Sequence, residues 1–205
     1  MESGERDNDR NRPARRRVGL LGGSFNPAHA GHLHISREAL ALLGLDEVWW
    51  LVSPQNPLKP ESDMAPLAER LAEARDVARD QAEIKVSAME EELGTRYTVD
   101  TVEALRARHR DTDFVLLAGA DILEELPRWR QWERLFHILP IAVFARKPYS
   151  SRALSGPAAQ RFAEFRLAED EAPLLAGHPP PAWMFLHIRE HPASATAIRA
   201  ARKTG

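Results

Sequence analysis

The 205-residue chain contains no cysteine. That excludes disulfides, thiolate metal sites and a cysteine nucleophile, and it fits a reducing compartment. Long apolar runs are also missing. The longest, Ile138 to Ala145, contains Pro140 and falls far short of the roughly 18 residues of a membrane span; it reads as a buried strand. No charge of either sign dominates: the formal net charge is -2, so no global pull toward nucleic acid or an anionic membrane is expected. Any anion must be bound by a local site. The N-terminal stretch to Arg17 carries six arginines but no apolar segment, which argues against a secretory signal. Its interspersed acids, Glu2, Glu5, Asp7 and Asp9, argue against a transit peptide or a nucleic-acid arm. A polar tail over 1–16 and one domain over 17–205 are expected.

What is present is an ordinary globular balance, 43% apolar and 28% charged. Val18 to Leu21 reads as a first strand running into Gly22 and Gly23. A helix is expected over Ala28 to Leu43, capped by Gly44. Glu47 to Val52 reads as a second strand, Pro54 to Pro66 as loop, and Leu67 to Gln81 as an amphipathic helix. Strands at Ile84 to Met89, Asp113 to Leu117, Ile138 to Ala145 and Met184 to Ile188 follow. Helices are expected at Thr98 to His109, at Asp121 to Phe136 with a break at Pro127, near Ala158 to Phe165, and at Ser194 to Arg202. Such alternation predicts an α/β fold: an open, mostly parallel, Rossmann-like sheet with helices on both faces. Ligands of such sheets bind beyond the carboxyl ends of the strands.

The residues after the first strand are GGSFNPAHAGH, Gly22 to His32. Glycines let the backbone approach a bulky anion, and free N–H groups at a helix start favour phosphate. His29 and His32, three apart, can project from one turn and donate to phosphate oxygens. Neither G-x-x-x-x-G-K-[ST] nor a G-x-G-x-x-G follows this strand. A capped helix with one buried histidine also accounts for an isolated H-x-x-H; a metal pair with His34 as third ligand is another reading, but no third ligand at matching spacing and no nearby acidic cluster is evident.

H-x-G-H after a glycine-rich strand end resembles the signature of the Rossmann-like nucleotidyltransferase superfamily. Ser194-Ala195-Thr196-Ala197-Ile198-Arg199 is similar to its second signature, I-S-S-T-x-I-R. Within the superfamily the chain resembles the bacterial nicotinate-nucleotide adenylyltransferases from about Arg17 to Lys203. Pro54 to Lys59, Tyr97 to Thr101, Gly119 to Asp121 with Leu126 to Trp129, and Arg146 to Pro148 are similar to four further family segments. Ser24, Asn26, Leu58, Arg96, Lys147, Ala193 and Ala195 depart from the usual pattern.

The resemblance implies transfer of AMP from ATP to nicotinate mononucleotide in the cytoplasm, with Mg²⁺ carried by ATP and no protein-held metal. It implies that His29 and His32 are catalytic. It implies phosphate contacts from Gly22, Gly23, Ser24, Phe25, Lys59, Arg146, Ser194, Thr196 and Arg199. Tyr97, Thr98, Gly119, Asp121 and Trp129 would receive the mononucleotide, with Trp129 stacking on its pyridine ring. Trp49, Trp50 and Trp132 read as structural. A phosphopantetheine adenylyltransferase, a regulatory nucleotide-binding module and a metal-dependent hydrolase are the rival readings.

Overall fold

The computed structural model describes residues 15–55, 64–189 and 191–204. Six strands form one sheet: β1 (Arg16–Gly23), β2 (Glu47–Val52), β3 (Ile84–Ser87), β4 (Thr112–Gly119), β5 (Ile141–Phe144) and β6 (Trp183–Leu186). Their order is β3-β2-β1-β4-β5-β6, and all five pairings are parallel. This is the doubly wound order, whose crevice opens where neighbours of β1 diverge toward β2 and β4. The register makes that crevice even. Gly23 lies level with Val52, and Gly119 with Phe144.

Alternation along each strand divides the core into two layers. Val18 and Leu20, Trp49 and Leu51, Phe114 and Leu116, Ile141 and Val143, and Trp183 and Phe185 face one side. Leu21, Trp50, Val115 and Leu117, Phe144, and Met184 and Leu186 face the other. Both sets are almost entirely buried. Each such side chain contributes about 1.5–3 kcal/mol, so both faces must be covered. Helices α4 (Thr98–Arg108), α5 (Ala120–Glu125), α6 (Trp132–Ile138) and α8 (Pro157–Arg161) pack on the first face. Helices α1 (Ala30–Leu43) and α2 (Leu67–Ala78), with the 3-10 segment Glu169–Gly177, pack on the second.

Several boundaries differ from the sequence expectation. The first strand takes in Arg16, and Arg15 pairs with Asp113 at 2.6 Å. The strand expected from Ile84 to Met89 stops at Ser87, and a short helix, α3 (Met89–Leu93), follows. The apolar run from Ile138 is a helix end before it is a strand: Ile138 closes α6, and Leu139 N donates to Leu135 O. Both parts are buried, so hydrophobicity alone could not divide them. Pro127 breaks the expected long helix into α5, a 3-10 turn (Leu126–Arg128) and α6. Helix α7 (Ser150–Ser155) precedes α8, and α9 (Ala195–Thr204) closes the described chain. Among the described residues no helix is long and apolar enough to cross a membrane.

Candidate active site

His29 is the N-cap of α1, with extended backbone. Its Nδ1 accepts from Gly31 N at 3.1 Å, and His32 Nδ1 accepts from His29 N at 3.1 Å. The pair thus forms a reciprocal capping box in which imidazoles do the work usually given to Ser and Glu. A ring nitrogen that accepts an N–H carries no proton, so each neutral ring keeps its proton on Nε2. The capping explanation is met by this geometry, and Nε2–H takes no part in it. The rings stack at 3.9 Å. Burial, then the charges of Arg146 and His191, pull His29 down to about 4. Burial, then His29 and Arg146, pull His32 down to about 3. Both are neutral N–H donors at physiological pH, not cations.

Beneath them, Phe25, at φ 45, inserts its ring between His32 (4.5 Å) and Trp50 (5.1 Å). Trp50 is fully buried; its Nε1–H donates to Ser36 Oγ at 2.8 Å, and the Ser36 hydroxyl donates to His32 O at 2.9 Å. That chain ties the histidine turn to β2, a structural task for Trp50 in keeping with its sequence reading.

The C-terminal stretch lies against the same turn. A Cβ added at Gly31 would stand 2.9 Å from the His29 ring and 3.0 Å from Ala193 O, so only glycine leaves room for both. Arg199 Nη1 donates to Asn26 O at 2.7 Å, and Nη2 reaches Thr196 Oγ1 at 3.5 Å. Ser194 Oγ accepts from Ala197 N at 3.2 Å, an N-cap bond. His34 Nε2 meets Arg189 O, and its ring lies 5.7 Å from that of His191. Among the described residues no group of three or more His, Asp or Glu is arranged to hold a metal ion.

Arg146, after β5, pairs with Asp121 at 2.7 Å. Asp121 is not a helix cap: α5 starts at Gly119 with no side-chain cap bond, and Asp121 Oδ1 is buried without a partner. A Cβ on Gly119 would come within 2.4 Å of that oxygen.

Beside the histidine turn is a cavity of about 420 Å³. Gly22, Gly23, Ser24 and Ser53 line it, together with Tyr97, Thr98 and Trp129. Gly119 and Asp121, grouped by sequence with Trp129, do not line it; the ion pair holds Asp121 toward Arg146. Lys59 lies outside the described residues.

Two residues escaped the sequence reading. Arg70 is 1% exposed and donates to four carbonyls: Ala65 O, Ser24 O, Ser53 O and Pro54 O, at 2.7–2.8 Å. It fastens the loops after β1 and β2 to α2. Its signal was an arginine in the apolar stripe with Leu67, Ala74 and Ala78. Glu90, buried at the start of α3, accepts from Ser53 Oγ at 2.5 Å. Burial pushes its carboxyl above the usual range, with the Ser53 hydrogen bond opposing. It lies three residues beyond β3, at the strand-end side of the sheet.

The fold and this convergence of two distant stretches are those of a doubly wound nucleotide-binding α/β protein. A family model described as cytidylyltransferase-like matches residues 20–201. A "Probable nicotinate-nucleotide adenylyltransferase" of Methylorubrum extorquens is 50% identical over 183 residues, covering 89% of this chain and 98% of its own. One of Rhizobium meliloti, with the same name, is 46% identical over 185 residues, covering 90% of this chain and 98% of its own. Among solved structures, Plasmodium falciparum nicotinic acid mononucleotide adenylyltransferase complexed with NaAD shares the fold at TM-score 0.66 and 15% identity, over 90% of this chain and 83% of that one. The chain belongs to the cytidylyltransferase-like family and, within it, to the nicotinate-nucleotide adenylyltransferases.

Proposed function

We propose that the chain transfers AMP from ATP to nicotinate mononucleotide, releasing pyrophosphate and forming nicotinate adenine dinucleotide. The observation that carries this reading is the meeting of the H-x-G-H turn with the Ser194–Arg199 stretch beside an aromatic-walled cavity. A polyphosphate fits the first and a mononucleotide the second. An oxygen of the mononucleotide 5′-phosphate attacks the α-phosphorus of ATP. The new P–O bond forms as the bond to the β-phosphate oxygen breaks, and pyrophosphate leaves with that electron pair. The attacking group is already anionic, so no protein nucleophile is required. The protein positions the reactants and neutralises charge.

His29 and His32 donate Nε2–H to the phosphates. A neutral donor stabilises charge in the transition state without having to lose a proton. Arg146, oriented by Asp121, and Arg199, braced on Asn26, supply fixed positive charge, and Ser194 and Thr196 supply hydroxyls. Gly22, Gly23, Ser24 and the backbone of Phe25 give close approach, and Lys59 is assigned to the same triphosphate. Tyr97 and Thr98 frame the mononucleotide, and Trp129 offers its face to the pyridine ring. Asp121 acts through Arg146, which it pairs with, and Gly119 leaves room for the Asp121 carboxylate. Mg²⁺ enters with ATP as part of the substrate, carried on its phosphate oxygens and water.

The test is pyrophosphate release with ATP and three acceptors: nicotinate mononucleotide, its amide, and phosphopantetheine. Strong preference for the acid mononucleotide is expected. Equal or faster turnover of phosphopantetheine would overturn the assignment.

A further inference from the structure

We propose that Arg96, Arg128 and Arg130 determine preference for the acid mononucleotide over its amide, acting as a trio of uncompensated cations along the wall of the aromatic cavity. The inference rests on the function proposed above and names what that site reads.

All three arginines line the cavity. Among the described residues none of them stands within ion-pairing distance of a carboxylate, whereas Arg134, Arg152 and Arg161 on neighbouring helices are each paired. Arg128 and Arg130 bracket Trp129, whose backbone is extended. A ring stacked on Trp129 therefore has a cation on either side of it in sequence. Arg130 is also held in place, its guanidinium 4.7 Å above the Tyr97 ring. Arg96 comes from the segment just before Tyr97, on the other element that walls the cavity.

Among the described residues, the one acidic residue lining the space is Glu90. Its carboxyl is buried, is engaged by Ser53, and is biased by burial toward its neutral form. The wall therefore presents three positive charges with little to cancel them. All three arginines are exposed, so each attraction is screened and the three act together on an anionic ligand. The acid and amide forms of the mononucleotide differ by one negative charge on the ring and hardly at all in shape. Stacking on Trp129 serves both forms alike, so discrimination must be electrostatic or depend on hydrogen-bond direction. The arginines supply the electrostatic part.

The experiment measures kcat/KM for both mononucleotides on the full chain and on R96Q/R128Q/R130Q, with the corresponding triple lysine variant beside it. Exposed ion pairs of this kind are worth about 2- to 5-fold each, so the triple Gln variant should lose roughly 10-fold or more of its acid-over-amide ratio. The loss should fall mainly on KM for the acid. The lysine variant should recover most of the ratio, because charge and not guanidinium shape is being tested. An unchanged ratio, or equal losses for acid and amide, would overturn the proposal while leaving the proposed function intact. Absence of turnover of either mononucleotide by the unaltered chain would instead overturn that function, and this inference with it.

Discussion

Acid should destabilise this protein through its two site histidines, and a variant that keeps their capping bonds but cannot titrate should resist. His32 falls from 6.5 to about 3 in the folded chain and His29 to about 4. Below pH 6.5 the unfolded chain takes up protons that the folded chain refuses. The stabilisation is therefore complete above pH 6.5 and is lost progressively as pH falls toward about 3. At pH 5 a site shifted as far as His32 has lost about 2 kcal/mol by this linkage. Part of the His32 shift is repulsion by a charged His29, so the two losses do not add in full and the His29 share is halved. The expected total between pH 7.5 and pH 5 is about 2–3 kcal/mol, a large part of the ~5–15 kcal/mol that holds a domain together. The matched variant is H29N/H32Q. Asn is a good N-cap and Gln a good third residue, so both acceptors survive. Urea unfolding of the two proteins at pH 7.5 and pH 5, followed by tryptophan fluorescence, gives the difference directly. Equal losses in both would refute the claim that the folded site keeps these imidazoles neutral.

Three further outcomes are expected. Trp129→Ala should raise KM for the mononucleotide about 10-fold or more with a smaller change in kcat, seen in steady-state pyrophosphate release; loss of folding by circular dichroism would mean that Trp129 serves the core. Gly31→Ala, which drives a methyl into the His29 ring and Ala193 O, should cost about 1–3 kcal/mol in stability and also weaken ATP binding, as isothermal titration would report. Arg70→Met leaves four carbonyls without their donor; a loss of about 3–5 kcal/mol by denaturant unfolding is expected, and a loss under 1 kcal/mol would mean that the loops hold themselves.

Much of this was legible in the amino-acid order. Glu47 to Val52 is a strand at the expected bounds because an apolar run of that length, closed by turn residues, has few other uses. Gly44 ends α1 at φ 59, as a helix stop should. The strand-end rule pointed to the histidine turn and to Arg146, which lie close enough for the Arg146 charge to act on His29; Trp129 came from the family resemblance. Other features were hidden because they depend on partners distant in sequence. The helix at Met89 carries three glutamates after a strand and reads as loop until it packs against β2. Asp121 was grouped with Trp129 by the family resemblance; its ion pair with Arg146, 25 residues away, is announced by no local pattern. Arg70 has only backbone acceptors, which no side-chain pattern announces.

The bond from Arg199 to Asn26 spans 173 positions. A ribosome delivers the histidine turn early and every strand by Leu186, but its counterpart only in the last stretch. The sheet can thus be complete while the histidine turn still lacks its bond from Arg199. On the function proposed above, a nascent or clipped chain ending near Arg189 would keep all six strands yet lack Ser194, Thr196 and Arg199 for binding the triphosphate.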